Sequence, residues 1–186
     1  MSATAATEIW LIRHAPVIGT GVAGRRDLPA DLSDTAAIAG LRAALGQTDR
    51  AVVSPALRCR QTAEALGLAP RSDPRIWEQD FGAWEGLAAL PDLGPMAPAD
   101  LAQHRPPEGE SFSDLCARTT PALRELALGG RVAVVAHAGT VRAGLAMVLG
   151  APAPALAFEV APLSATILRL FPGGEVAVVA VNRRWQ

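Results

Sequence analysis

The chain has 186 residues, of which 50% are hydrophobic and 19% charged, with a formal net charge of −1; a globular chain of this size buries roughly 70% of its unfolded surface. This balance offers no basic footprint for nucleic acid and no polybasic patch for a membrane surface, so neither is an expected partner. Cys59 and Cys116 stand far apart without a paired motif, which excludes a disulfide scaffold and fits a reducing cytoplasm.

Residues 1–7 carry no basic residue and no apolar block, so they read as a short flexible tail and not as a signal peptide. The run Glu8-Ile9-Trp10-Leu11-Ile12 then predicts a buried strand that ends abruptly in Arg13-His14, with Ala15-Pro16 forbidding its continuation. A Gly-rich loop follows to Asp31. Ser33 and Asp34 can cap a helix through Ile38, Leu41 and Leu45, with Gly46 near its end. Asp49 to Val53 predicts a short strand, and Ser54-Pro55 the cap and first position of a helix that Gly67 stops.

Arg75-Ile76-Trp77 predicts a brief strand leading into the loop Glu78-Gln79-Asp80-Phe81-Gly82-Ala83-Trp84-Glu85-Gly86. The Pro- and Ala-rich section from Leu87 to Gly109 permits only one short turn, near Ala99 to His104. Ser111 and Asp114 have the spacing of a capping box, opening a helix through Leu126. Arg131 to Ala136 repeats the plan of the first strand, ending in His137 before a helix from Val141 to Leu149. Gly150, Pro152 and Pro154 break the apolar region Ala143–Ala157, so it cannot cross a membrane. Strands are predicted at Ala155–Val160, Ala165–Leu170 and Val176–Val181, the last two joined by a hairpin at Pro172-Gly173-Gly174. Alternating strands and helices that end in a hairpin predict a three-layer α/β/α sandwich, with a mostly parallel central sheet and an antiparallel edge strand. The whole chain, 1–186, reads as one domain, and its oligomeric state is not legible.

Arg13, His14, Arg58, Glu78 and His137 all fall just beyond predicted strands, at the sheet rim where ligands bind in such folds. Two arginines, two histidines and a helix start around one point make an anion site. A carboxylic acid belongs there only if it donates a proton. Phosphoryl transfer fits this set best: a neutral imidazole attacks phosphorus, cations stabilise the equatorial oxygens, and Glu78 protonates the leaving alkoxide and then activates water. His14, His104 and His137 lack zinc-ligand spacing, so no metal or other cofactor is expected. His104 reads as an exposed loop residue. No Gly-x-Ser-x-Gly elbow occurs. Cys59, between Arg58 and Arg60, reads as an inert helix residue more readily than as a reactive thiol.

Four motifs in order carry a family resemblance: Leu11-Ile12-Arg13-His14, Ser54-Pro-Ala-Leu-Arg58-Cys-Arg-Gln-Thr-Ala63, Glu78-Gln-Asp-Phe-Gly-Ala-Trp-Glu-Gly86, and Val135-Ala-His137-Ala-Gly139. Together they resemble the histidine phosphatase superfamily, the phosphoglycerate-mutase-like group. The resemblance implies that His14 is the phosphorylated nucleophile, that Arg13, Arg58 and His137 hold the phosphoryl group, and that Glu78 is the proton donor. Ala15 and Ala138 stand where the family commonly has Gly, and Thr20 where it often has a phosphate-binding Asn; a hydroxyl can still donate. Glu110 lies in a Gly-Glu-Ser segment and reads as structural.

The short, Pro-rich cover between Glu85 and Gly109 is similar to that of phosphatases, whereas the mutases carry longer insertions that keep water from the phosphorylated intermediate. The expected partner is a small phosphomonoester, and the branch resembled includes α-ribazole-5′-phosphate phosphatases. Mutase-type transfer, a protein-phosphohistidine phosphatase and a phosphate-binding module without turnover are the alternatives. The last would be marked by Ala15 and Thr20.

Overall fold

The structure, a computed structural model, describes residues 5–185. It is built on one six-stranded sheet in the order β3-β2-β4-β1-β5-β6. The strands are β1 (Thr7–Arg13), β2 (Arg50–Val53), β3 (Arg71–Ser72), β4 (Gly130–Ala136), β5 (Ala165–Leu170) and β6 (Val176–Arg183). β3, β2, β4 and β1 run parallel. β5 is antiparallel to both β1 and β6, so the reversed strand lies one in from the edge. Of the expected tail, residues 1–4 lie outside the described residues, while Thr7 already belongs to β1 and is buried.

Alternation along β1 divides the core. Ile9 and Leu11 face one layer, with Leu115 and Leu123 of α4 (Phe112–Arg124) and Leu145 of α5 (Ala138–Leu149). Trp10 and Ile12 face the other, with Leu41 and Leu45 of α1 (Thr35–Leu45) and Cys59 and Ala63 of α2 (Leu57–Ala65). This is the expected three-layer α/β/α arrangement. The short helices α3 (Pro98–Gln103) and α6 (Pro152–Ala155) contribute Ala102 and Ala155 to the α4–α5 side.

The caps follow the sequence closely. Asp34 accepts from Ala37 N at 3.0 Å to open α1, and Ser111 with Asp114 forms a complete capping box on α4. Three expectations are corrected. Arg75–Trp77 is not a strand: the Asp73 carboxylate accepts from Arg75 N at 2.9 Å and Pro74 lacks a donor, which closes a 3-10 turn at Pro74–Ile76 and leaves Arg71–Ser72 as the edge pair. Ala155–Val160 is not a strand either. Pro152 opens α6, and local bonds from Leu156 N to Ala153 O and Phe158 N to Ala155 O keep the backbone in turns. Ser54-Pro55 does not open α2, which starts at Leu57 with no side-chain cap; the Ser54 hydroxyl lies against His137 Nε2 at 2.8 Å and locally accepts only from Ala56 N, at 3.4 Å.

Helix α5 approaches the sheet at Gly144, where a β-carbon would collide with the Leu11 side chain and press on Leu168. Gly144→Val is therefore expected to lower stability by about 2 kcal/mol through overpacking, read as a lower urea midpoint at unchanged slope.

Candidate active site

Parallel pairing of β1 with β4 sets Arg13 opposite Ala136, so His14 and His137 leave adjacent strands at the same level. Their rings meet edge to face with centroids 5.2 Å apart. Between them runs the Arg58 side chain from the first turn of α2, only 1% exposed. Its Nε donates to His14 Nε2 at 3.2 Å and its Nη2 to His137 Nδ1 at 3.2 Å. The same guanidinium donates to Arg26 O at 2.8 Å and Gly24 O at 2.7 Å.

Arginine has only donors, so these contacts fix both tautomers. His14 holds its lone pair on Nε2 and directs Nδ1–H to Ala15 O at 2.6 Å. His137 accepts at Nδ1 and directs Nε2–H to the Ser54 hydroxyl at 2.8 Å. Burial drives the His14 pKa down to about 3, with Arg58 and Arg13 adding to the fall against the Ala15 carbonyl. Burial also holds His137 well below the usual imidazole range, assisted by His14 and Arg58. Both rings are neutral at pH 7.

A cavity of about 250 Å³ opens over this cluster, with Arg13, His14, Arg58, Glu78 and Phe81 in its wall. Arg13 is anchored by Nη1 to Val160 O at 2.6 Å, while its buried Nε has no protein partner. Glu78 is held at the start of α5: its Oε1 accepts from Gly139 N at 3.1 Å and from Gln79 N at 2.9 Å. A β-carbon at Gly139 would collide with that carboxylate, so close approach requires glycine there. The loop that carries Glu78 is pinned from below. Arg118 donates to Glu78 O at 2.9 Å and Arg75 O at 2.8 Å, and it is paired with Glu110 at 2.5 Å. Burial resists ionisation of Glu110, yet Arg118's hydrogen bonds and charge hold its carboxyl below the usual range. Glu110 thus buttresses the loop, as expected of a structural residue.

The structure brings His14, Arg13, Arg58 and Glu78 to one cavity and sets His137 directly behind them, fully buried. Thr20 is not brought there. Its side chain is exposed on the loop, its carbonyl accepts from Arg26 Nη1 at 3.0 Å, and Gly21, Ala23 and Gly24 line the cavity from that loop instead. His104 is not an exposed loop residue: it is partly buried and stacks on Trp84 with ring centroids 5.4 Å apart. Cys59 is fully buried against His137, and burial pushes its thiol pKa up, away from reactivity. Neither Ala15 nor Ala138 has positive φ, so glycine's conformational freedom is not needed at those positions. The sequence left Ser54 unrecognised as the partner of His137, and Gly139 as the seat of Glu78; a Ser-Pro at a strand end and a glycine opening a helix were their only signals. Among the described residues, no helix is long and apolar enough to cross a membrane, and no group of three or more His, Cys, Asp and Glu is placed to hold a metal ion.

Known proteins match both the chain and its fold. The chain is 33% identical over 121 residues to 6-phosphofructo-2-kinase/fructose-2,6-bisphosphatase 1 of Bos taurus, a match covering 62% of this chain and 26% of that protein. It therefore spans about a quarter of the length of the curated relatives it matches. Among solved structures, mycobacterial hydrolase 2 superposes with a TM-score of 0.82 at 26% identity, covering 97% of this chain and 92% of that one. Mycobacterial glucosyl-3-phosphoglycerate phosphatase superposes with a TM-score of 0.79 at 25% identity, covering 94% and 98%. The model of the histidine phosphatase superfamily, branch 1, matches residues 9–183, and with the α/β fold and the paired histidines in place, the chain belongs to that superfamily.

Proposed function

We propose that the protein is a metal-independent phosphomonoesterase that acts on a small phosphorylated metabolite through a phosphohistidine at His14. The observation that carries this reading is the Arg58 bridge, which leaves His14 neutral with its lone pair on Nε2 beside a cavity lined by two guanidinium groups and a carboxyl. When a phosphoryl group enters, its oxygens draw the Arg58 Nε–H away from His14 Nε2 and accept from Arg13 as well, and the released Nε2 lone pair attacks phosphorus in line with the ester oxygen. The ester bond breaks as the N–P bond forms, and Glu78 protonates the departing alkoxide. Glu78 then takes a proton from water, the hydroxide displaces phosphorus from Nε2, and inorganic phosphate leaves.

His137 orients the guanidinium in the empty site. A phosphate dianion would favour a second proton on its Nδ1 and make it a donor to the phosphoryl group. The short cover between Glu85 and Gly109 supports hydrolysis over mutase-type transfer, because it leaves the phosphohistidine open to water. α-Ribazole 5′-phosphate, the ester suggested by the sequence resemblance, is one candidate substrate.

His14→Ala is expected to lower phosphate release from phosphomonoesters by on the order of 10⁴-fold or more, in chelator, and to abolish acid-labile labelling by a radioactive substrate. Turnover surviving in that variant would overturn the reading. Gly139→Ala, by pushing Glu78 from its seat, is expected to reduce kcat about 10- to 100-fold for alkyl phosphates and far less for 4-nitrophenyl phosphate, whose leaving group needs little proton assistance. An equal loss on both esters would remove Glu78 from the acid role.

The neutral imidazoles also make a stability prediction. Free histidine takes a proton near pH 6.5, whereas His14 in the fold resists protonation until about pH 3 and His137 is likewise depressed. The unfolded chain therefore binds more protons, and stability falls as pH drops below about 6.5, with a slope approaching roughly 2.7 kcal/mol per pH unit for two groups. Urea unfolding between pH 7 and 5 checks this, and His14→Ala should remove about one proton's share of the slope.

A further inference from the structure

Thr62 lies one turn along α2 from Arg58, on the same helix face, and both Thr62 and Ala15 are fully buried. The Thr62 hydroxyl makes two bonds. Its O–H donates to Arg58 O at 2.7 Å, an ordinary bond for a helical threonine. Its oxygen also accepts from Ala15 N at 3.0 Å, and that contact spans 47 residues of chain. Ala15 directly follows His14, and Pro16 has no N–H. The Ala15 N–H is therefore the one backbone donor between His14 and Val17, and Thr62 takes it.

These bonds close a circuit. Ala15 O accepts from His14 Nδ1 at 2.6 Å, and Arg58 Nε donates to His14 Nε2 at 3.2 Å. His14, Ala15, Thr62 and Arg58 are thus tied in one ring. An entering phosphoryl group opens it at the Arg58–His14 bond, and the Ala15 carbonyl goes on holding the imidazole by its far nitrogen. The demand on that carbonyl then rises. As Nε2 shares its electron pair with phosphorus, positive charge spreads across the ring to Nδ1–H. A fixed carbonyl aimed at that proton stabilises the transition state more than the resting ring.

We propose that Thr62 is a positioning residue for His14: its hydroxyl fixes the backbone at Ala15, so that the Ala15 carbonyl keeps a proton on Nδ1 and the lone pair on Nε2 during attack. The assignment rests on the reading of His14 as the nucleophile. Thr62 is not among the residues of the cavity wall and acts through the backbone.

The test compares Thr62→Val, which keeps the shape but loses the hydroxyl, with Thr62→Ser, which keeps the hydroxyl. In a single turnover of 4-nitrophenyl phosphate, Thr62→Val is expected to slow formation of the acid-labile phosphoryl label by about 10- to 100-fold. Its affinity for methylphosphonate, measured by calorimetry, should stay within about twofold, since Arg13 and Arg58 keep their donors. Thr62→Ser should recover the rate to within about threefold. With methylphosphonate bound, nitrogen-15 spectra should show His14 Nδ1 protonated in the parent and in Thr62→Ser, and partly stripped of its proton in Thr62→Val. An unchanged rate in Thr62→Val, an equal loss in Thr62→Ser, or a matching loss of phosphonate affinity would overturn the proposal. If Thr62→Val fails to fold, the parent chain decides: Nδ1 protonated with phosphonate bound supports the circuit, and Nδ1 without its proton overturns it. A chain that takes label from no ester loses the phosphatase reading, and the nitrogen spectra then judge the Thr62 circuit by themselves.

Discussion

The architecture of the site depends on one buried cation. Arg58 is removed from water, yet all four of its hydrogen-bond acceptors are neutral: two loop carbonyls and two imidazole nitrogens. Burying a charge without an opposite charge is costly, and partial negative charges on fixed acceptors offset only part of that cost. The guanidinium thereby imposes conditions on everything around it. Both histidines must be neutral and must present a lone pair, and the loop at Gly24–Arg26 must turn its carbonyls inward. Gly24 adopts positive φ against the Glu85 side chain to do so.

The sheet supplies the positions and the loops supply the chemistry. Adjacent parallel strands β1 and β4 deliver the two imidazoles at one level, and no insertion in either strand could occur without separating them. Glu78 has no such strand behind it. Its place is set by the start of α5 above and by the Arg118–Glu110 pair below, a partly buried pair whose Arg118 also holds the Glu78 backbone carbonyl. A loop residue is thus held by contacts of the kind that usually hold a strand.

Much of this is legible in the sequence. Both His-bearing strands were readable because each is a short apolar run cut off by a charged or polar residue and a helix start, and the caps at Asp34 and Ser111 because their side chains bond locally. What failed was what depends on distant partners. Ser54 has the sequence context of a helix cap, since Ser-Pro is a common helix opening, but its shorter bond is to His137, 83 residues away, and its local one, from Ala56 N, is long at 3.4 Å. Arg75–Trp77 has strand composition, yet Asp73 and Pro74 together stabilise a turn. Thr20 stands where the family resemblance puts a phosphate donor, but the loop it sits on is shaped by close packing of Gly21 against Gly86 and Leu87. A cavity of about 390 Å³ lies where Phe81, Trp84 and the covering segment meet Phe112 of α4 and Arg142 of α5; the loop residues of its wall are legible in the sequence, whereas the helix residues that close it are distant in the chain.

The bond from Arg58 to His14 Nε2 has one more implication, for selectivity in time and not in space. In the empty site the one lone pair on His14 able to attack is occupied by the guanidinium N–H. A neutral electrophile gives Arg58 no reason to let go. A phosphoryl group does, because its oxygens compete for the same donors with full negative charge. On the proposed reading of His14 as the nucleophile, its lone pair is masked until a phosphoryl group draws the guanidinium away, so the residue that prepares the imidazole for reaction also covers it at rest.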